Sequence, residues 1–402
     1  MRSKNWLSKS VRACATISLA ALAARGASIA QPAQPSKVPA LALMDQADAE
    51  AWRNWTKDLG WRVVTPAGLP ANATIDQRVT AVAAAAREAA KDPAVDPARI
   101  YLAGRLNAAA GVFYAISRTP DVWAAGLALG GSPQPAIDTG RVYAINFKNA
   151  PVLWVGASAD DQALAGKLKD GGLNLEYRPA ENLPMAALFE WLAGHTREDF
   201  PDSIDCETNS PKFASCWWVR MMVFDVNERN DVLPTTLIPP NSGATLDLGN
   251  FTYKKDDPGP GLLISLPDKY SGPLKNGDRL VSLDGKPIEN ARQFAETMYA
   301  TVEEKPAAVM VERGKNRLRL ETRIVLPKRD TFATARAQAR FIVEEREIQI
   351  VTRTVTQLQV NIPPHWVPAT LYWNGLSMEE LKTPGCIALK MEKELLSAEK
   401  CQ

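Results

Sequence analysis

The stretch from Tyr101 to Gly111, YLAGRLNAAAG, joins an apolar run to an alanine-rich segment of helical character. A tight turn from a strand into a helix can project a nucleophilic oxygen over a sheet, and flanking glycines let the backbone pack close to the strained residue. Here Gly104 stands at the first glycine position, Leu106 at the centre of the turn and Asn107 after it. Leucine has no nucleophilic atom, so the stretch predicts the shape of a catalytic turn without its reactive group.

Short apolar runs alternate with longer helical runs from residue 38 to about residue 200. The strand candidates are VPALALM, WRVVTPAG, RIYLAG, AAGLALGG, APVLWVGAS and LNLEYRP. Continuous apolar strands of this length, separated by helices, are typical of a parallel sheet that is covered on both faces. The sequence therefore predicts an α/β domain over 38–200, with the turn at Leu106 following its third strand.

The segment DPARIYLAGRLNAAAGVFYAISRTPDVWAAGLALGG, 96–131, resembles the nucleophile-elbow region of α/β-hydrolases of the esterase, dienelactone hydrolase and prolyl-oligopeptidase type. The order of elements over 38–200 is similar to that fold, including PVLWVGASADD, 151–161, where the family places its catalytic acid. The resemblance implies that Gly104, Leu106 and Asn107 are a vestigial elbow. It implies likewise that Asp160 or Asp161 is a vestigial acid.

Three further parts of the hydrolase pattern are missing. The loop PAENLP, 179–184, where the family carries its histidine, contains none, and an acid without a histidine orients nothing. Met44-Asp45-Gln46 stands in place of the oxyanion loop. Ala108 and Ala109 replace the later glycines, which predicts a relaxed helix start.

These losses favour a pseudoenzyme, and an alternative stays open. A working serine hydrolase could use relocated residues, for instance Ser132 or Ser158 with a carboxylate base. The chain's two histidines, His195 and His365, are interpreted as a solvated helix-end side chain and as a structural or exposed one.

A second motif lies over 259–326. The phrase LKNGDRLVSLDGKPI resembles the G-L-x-x-G-D-x-I-x-x-x-[DN]-G-x-x-[VI] pattern of bacterial PDZ domains. Gly277 and Asp278 are expected to form a tight turn into a strand, and Asp284-Gly285 the next turn. The helix from Asn290 to Thr301 follows.

PDZ domains offer backbone N–H groups to a peptide's terminal carboxylate and accept the peptide as an added edge strand. The resemblance implies a loop, a strand and a helix wall made of Gly259, Gly261, Leu262, Leu263, Ile264, Phe294 and Met298. Pro260 lacks an N–H, which removes one donor. The expected partner is a peptide or protein C-terminus or an extended segment. The alternatives are a fold that only packs against the first domain, and a PDZ domain that presents substrate to an active hydrolase.

The first 30 residues read as a secretory signal: basic residues, an apolar run over 13–24, and Ser28-Ile29-Ala30 before the cleavage position. The apolar run is shorter than the roughly 20 residues of a spanning helix. The sequence therefore predicts a periplasmic or secreted protein with no membrane span after signal removal. A linker over 31–37 follows.

The composition, 46% hydrophobic and 23% charged, is that of a globular protein. The chain has 47 basic and 45 acidic residues, and the first 30 residues hold five of the basic and none of the acidic ones, so the exported chain would carry a net charge of −3. This balance, with no dense basic block, gives no footprint for nucleic acid. No cofactor is predicted.

Four cysteines remain after the signal, and an even number in an exported chain suggests disulfides. We predict the local pairs Cys206–Cys216 and Cys386–Cys401, with four reduced cysteines as the alternative. No metal site is predicted, since the chain has no CxxC motif and two histidines.

The domain organisation follows from these segments. A loop-rich connector is predicted over 201–258, the PDZ-like domain over 259–328, and a small β-rich extension over 329–402.

Overall fold

The computed structural model of the chain describes residues 36–401 apart from 71, 241–242, 255, 302, 327–333, 379 and 394. The predicted signal and most of the linker after it lie outside the described residues. Among the described residues, no helix is both long and apolar enough to cross a membrane.

The first domain is built on a six-stranded parallel sheet. Its strands are β1 (Val38–Leu43), β2 (Arg62–Val64), β3 (Val95–Arg105), β4 (Ala125–Leu129), β5 (Val152–Gly156) and β6 (Leu175–Pro179), in the order β2-β1-β3-β4-β5-β6. Its helices are α1 (Ala49–Thr56), α2 (Ile75–Ala89), α3 (Ala109–Arg118), α4 (Gln134–Ile137), α5 (Ala159–Asp170) and α6 (Met185–Ala193). All neighbouring strands are parallel.

Helices cover both faces of this sheet, as the apolar strands predict. Helices α2, α3 and α5 share one buried core with the sheet, and α1 and α6 share the other. The all-parallel sheet between two helical layers fits the α/β-hydrolase fold, and the predicted fold class of this domain is confirmed.

After residue 200 the chain is mainly β-structure. The strands are β7 (Ser203–Thr208), β8 (Ser215–Cys216), β9 (Val219–Phe224), β10 (Thr245–Leu246), β11 (Thr252–Tyr253), β12 (Leu262–Ser265), β13 (Arg279–Leu283), β14 (Lys286–Pro287), β15 (Lys305–Arg313), β16 (Asn316–Val325), β17 (Ala335–Ile342), β18 (Glu347–Arg353), β19 (Val355–Ile362), β20 (Thr370–Trp373), β21 (Leu376–Ser377), β22 (Gly385–Glu392) and β23 (Leu395–Lys400). One further helix, α7 (Ala291–Ala300), lies between β14 and β15.

Two five-stranded sheets pack over one core to form a β domain. Their orders are β21-β20-β18-β17-β7 and β23-β22-β19-β9-β8. Strands β7 to β9 precede residue 225 and the other members follow residue 334. The β domain is therefore made of two chain segments, and a separate domain over 243–326 is inserted between them.

The inserted domain contains the remaining strands and α7. Its sheet has the order β10-β16-β15-β13-β12-β11, with β14 paired to β13, and α7 covers it through Phe294 and Met298. Asn290 caps α7 by accepting from the Gln293 N–H at 2.9 Å. The predicted helix therefore begins where its capping residue indicates.

The structure differs from the predicted connector over 201–258. Its first part supplies β7 to β9 to the β domain, and its last part supplies β10 and β11 to the inserted domain. Strand β7 also contacts the parallel-sheet domain, where the side chain of Asn146 accepts from the Glu207 N–H at 2.8 Å. The inserted domain accordingly begins near residue 243 rather than 259.

Both predicted disulfides are present. Cys206–Cys216 joins β7 to β8, which lie in different sheets of the β domain, and Cys386–Cys401 ties β22 to the residue after β23. Disulfides of this kind fit a protein that folds outside the reducing cytosol.

The turn into β13 holds a buried carboxylate. Asp278 accepts from the Lys275 N–H at 2.7 Å and from Arg313 Nε and Nη2 at 2.9 and 2.7 Å. Burial opposes ionisation of Asp278, but these hydrogen bonds outweigh it and hold the pKa of the carboxyl below its ordinary value.

We expect Asp278→Asn to destabilise the protein at pH 7 by about 1–3 kcal/mol, because Arg313 loses its charged partner. A lowered carboxyl pKa gives stability that is present above the unfolded value and is lost as pH falls through the folded one. The difference in free energy of unfolding between wild type and Asp278→Asn, measured in urea, should therefore shrink below about pH 4. The exposed Asp268→Asn is the control, with no such gap. A gap for Asp278→Asn that is independent of pH would contradict the assignment.

Candidate functional site

The turn after β3 keeps the backbone of a nucleophile elbow. Leu106 has φ 51°, in the left-handed region, and its side chain is 55% exposed. A 3₁₀ turn over Leu106–Ala108 then leads into α3. The predicted relaxed helix start is wrong, because the central residue remains strained although alanines follow it.

Two glycines explain how this turn is held. A side chain at Gly104 would overlap the carbonyl oxygen of Ala108, and one at Gly131 would overlap the carbonyl oxygen of Leu106. Trp154 fixes the second glycine by donating from Nε1 to the Gly131 carbonyl at 2.8 Å. The close approach of the elbow to the end of β4 therefore depends on Gly131, which lies well outside the elbow motif.

Relieving the strain at Leu106 should stabilise the protein. A left-handed conformation costs a residue with a Cβ roughly 1–2 kcal/mol, and glycine avoids this cost. Part of the gain is lost again, because glycine gives up more backbone entropy on folding than leucine does. We expect Leu106→Gly to raise the free energy of unfolding by about 0.5–1 kcal/mol in urea melts. Leu59→Gly, at an exposed leucine without positive φ, should lower it instead. Equal losses in both variants would contradict strain at the elbow.

The segment in place of the oxyanion loop, Met44-Asp45-Gln46, leads into a 3₁₀ turn. Asp45 caps a 3₁₀ turn by accepting from the Ala47 N–H at 2.9 Å. Asp48 lies 3.6 Å from Arg105 Nε, and the Arg105 guanidinium lies over the Trp55 ring. A cation that is held beside the elbow by Asp48 and Trp55 is thus a feature of this chain.

The two candidate acids have different surroundings. Asp161 caps α5: its Oδ2 accepts from the N–H groups of Ala157 and Ser158, and Ser158 Oγ accepts from the Asp161 N–H at 3.0 Å. Asp160 is exposed and lines a cavity together with Ser132. Ser158 Oγ is therefore engaged in the helix cap. Ser132 Oγ accepts from the Gln134 N–H at 3.2 Å, and both Ser132 and Asp160 border the cavity.

Neither histidine lines that cavity. His195 Nδ1 lies 2.8 Å from the Trp191 carbonyl oxygen and its ring packs against the Trp191 ring, so the side chain is half-buried rather than solvated. His365 is exposed in the β domain, as interpreted from the sequence. Among the described residues, no group of three or more His, Cys, Asp or Glu could hold a metal ion.

A second candidate site lies in the inserted domain, along the outer edge of β11. Among the described residues, this strand is the last of the sheet and pairs with β12 alone. The Lys254 N–H donates to the Leu263 carbonyl, and Thr252 pairs with Ser265. Because antiparallel pairing alternates along a strand, the N–H and C=O of Tyr253 point away from β12.

A cavity of about 600 Å³ lies between this edge and α7. Its walls include Tyr253, Phe294, Ala295, Met298 and Tyr299. The ring of Tyr253 meets that of Phe294 edge to face at 5.9 Å, and burial raises the pKa of the Tyr253 phenol. The space therefore has an unpaired strand edge on one side and a helix on the other.

The loop between β10 and β11 also lines this cavity. Gly249, Asn250 and Phe251 line it, and their backbone N–H groups donate no hydrogen bond to any described residue. The Leu248 N–H, in contrast, bonds to the Leu246 carbonyl. Unpaired N–H groups in the wall of a cavity are suited to an anionic or carbonyl oxygen.

The predicted strand of the peptide site is wrong. Strand β12 pairs with β13 on one side and β11 on the other, so it has no free edge. Leu262 and Ile264 are buried core residues, Leu263 pairs with Arg279, and side chains at Gly259 and Gly261 would overlap carbonyl oxygens of Glu289 and Leu280. Phe294 and Met298, predicted for the helix wall, do line the cavity.

Sequence reasoning missed the strand and loop that border the cavity. The apolar-Gly-x-apolar pattern of Leu248-Gly249-Asn250-Phe251 was available as a signal. It stands before a strand of two residues, too short to show alternation.

Comparisons with solved structures find esterases and a related hydrolase. A thermostable esterase is 18% identical over 42% of this chain, with a TM-score of 0.32, and the match spans 57% of that esterase. A fungal esterase from Rhizomucor miehei is 11% identical over 40% of this chain and 75% of its own, with a TM-score of 0.34. A putative dienelactone hydrolase from Klebsiella pneumoniae is 12% identical over 37% of this chain and 76% of its own, with a TM-score of 0.29.

The fold assignment depends on the strand order and the parallel pairing of the sheet itself. No protein-family model matches the chain, and no curated protein does.

Proposed function

We propose that this chain is an exported binding protein, whose inserted domain is PDZ-like and captures the C-terminal segment of a peptide or protein. The observation that carries the proposal is the unpaired edge of β11 at Tyr253, which faces a cavity bordered by α7. An extended peptide can add to such an edge as a further strand, with its side chains directed into pockets.

The order of parts in the inserted domain supports this proposal. A strand, a loop with unpaired N–H groups and an edge strand follow one another as β10, 247–251 and β11, and α7 lies opposite. The missing N–H of Pro260 does not bear on carboxylate capture, because Pro260 is not among the residues that line the cavity.

An array of synthetic decapeptides tests the proposal. Each peptide ends in a free carboxyl group, and the last residue is varied across the array. Each has a control peptide in which the same sequence is followed by further residues, so that it no longer lies at the C-terminus. We expect the purified protein to bind a subset with apolar last residues, because Phe294 and Met298 line the cavity. Failure of every peptide to bind would remove the proposal.

We propose further that the parallel-sheet domain is a hydrolase-like scaffold without catalysis. In support, Leu106 occupies the elbow, Asp161 caps a helix, and neither histidine lines the cavity at Ser132. The second candidate function, an active serine hydrolase, is favoured by one observation: Ser132 and Asp160 line the same cavity.

A fluorophosphonate probe distinguishes the two functions. It labels activated serines, and we expect none on the purified protein, whereas a fungal or bacterial esterase in the same tube should label fully. Labelling that disappears in Ser132→Ala would show that the chain is an active serine hydrolase and would contradict the scaffold proposal.

A further inference from the structure

The cavity beside β11 is bordered by two domains. Lys167, on α5 of the parallel-sheet domain, lines it together with the loop at Gly249 and the end of α7 at Tyr299. The ammonium of Lys167 lies over the Tyr299 ring, 5.8 Å from its centre. A side chain of the sheet domain therefore lines the same cavity as the loop residues Gly249, Asn250 and Phe251.

Among the described residues, the charged side chains that line this cavity are Lys167 and Glu296. Glu296 is already paired, since Arg292 Nε lies 3.1 Å from its Oε1. Lys167 forms no ion pair with any described residue, and its ammonium lies over the face of the Tyr299 ring. The uncompensated charge in the cavity is therefore positive.

A cation and unpaired backbone N–H groups that line the same cavity favour an anion in it. A peptide that adds to β11 presents one anion that belongs to its backbone, the carboxylate at its C-terminus. An internal segment in the same place would set a neutral peptide group against Lys167. Charge complementarity thus selects a chain end over an internal segment.

We propose that Lys167 binds the terminal carboxylate of the captured peptide, so that the binding site is a composite of the inserted domain and the parallel-sheet domain. The inference depends on the proposed function of the inserted domain. It assigns a present role to the hydrolase-like domain: α5 supplies the cation that makes the site specific for free C-termini.

The probe for this inference is the tightest-binding decapeptide of the array, labelled with fluorescein at its N-terminus. It is prepared with a free carboxyl end and with a C-terminal amide, and its affinity is measured by fluorescence anisotropy. The proteins are wild type, Lys167→Met and Lys169→Met. Lys169 is an exposed lysine of the same helix that lines neither cavity, which makes it the matched control.

Lys167→Met should weaken binding of the free-carboxyl peptide about tenfold and leave the amidated peptide unchanged, because one charge-assisted contact is lost. The loss in affinity on amidation then shrinks by the same factor, and Lys169→Met behaves as wild type. Raising the salt concentration should reduce the difference between wild type and Lys167→Met.

Other outcomes overturn the inference while peptide capture stands. If amidation of the peptide lowers its affinity for Lys167→Met as much as for wild type, the carboxylate is bound without Lys167. If both peptides weaken equally, Lys167 is a packing contact. A protein that binds no peptide at all removes the proposed function and this inference together.

Discussion

Ala295→Trp is expected to abolish peptide binding while the protein stays folded. Ala295 is exposed on α7 and lines both the cavity beside β11 and the cavity at Ser132. An indole in that position fills the space that an added strand would occupy. We expect the affinity for the best array peptide to fall roughly a hundredfold or more, since the clash acts on the bound state alone.

The control is Ala300→Trp. Ala300 is an exposed alanine on the same helix, and it lines neither cavity. Both variants should melt close to wild type, because neither residue belongs to the buried core. Equal affinities for Ala295→Trp and wild type would place the peptide elsewhere.

Arg336→Met is expected to cause the largest loss of stability. Arg336 Nε and Nη2 donate to the two carboxylate oxygens of Asp205 at 2.8 and 2.7 Å, and Gln338 Nε2 donates to the same carboxylate at 3.0 Å. Burial opposes the charge of Arg336, but its bonds with Asp205 outweigh this and raise the arginine pKa. The side chains of Arg336 and Asp205 are 9% and 2% exposed, so the pair is held out of water.

This ion pair joins β7 to β17, which are 131 residues apart and belong to the two segments of the β domain. Methionine at 336 would leave the Asp205 charge buried and unpaired, which costs about 3–5 kcal/mol. Arg340→Met is the control on the same strand: Arg340 is exposed and bonds to Gln349, and we expect a loss below about 1 kcal/mol.

Urea unfolding measures both variants. Adding Asp205→Asn to Arg336→Met should recover part of the loss, because the buried charge is then removed. A cost for Arg336→Met no larger than that for Arg340→Met would show that the pair does not hold the two segments together.

The sequence was sufficient for features that depend on local pattern. Six apolar runs became the six parallel strands, since a strand buried on both faces must be apolar throughout. Both disulfides close short loops, and α7 begins at Asn290, a good capping residue. The turn at Gly277-Asp278 and the absence of a nucleophilic atom at Leu106 were also readable directly.

Features that depend on distant partners could not be read in this way. Strand β7 is defined by β17, which lies more than a hundred residues away, so its segment looked like a connector. Strand β11 has two residues, and the longer apolar run of its neighbour β12 is the stronger strand signal in the sequence, so the pattern favours β12 as the peptide-binding strand. The close packing at the Leu106 carbonyl depends on Gly131, which lies just after β4 and 25 residues along the chain.

Amide hydrogen exchange at the edge of β11 tests the central proposal most directly. The Tyr253 N–H points away from β12, and a peptide added to this edge would accept from it. Saturating the protein with the best array peptide should slow exchange at 249–253, and the same peptide should have no such effect on Ala295→Trp. Peptide bound at saturation with unchanged exchange at 249–253 would contradict the account.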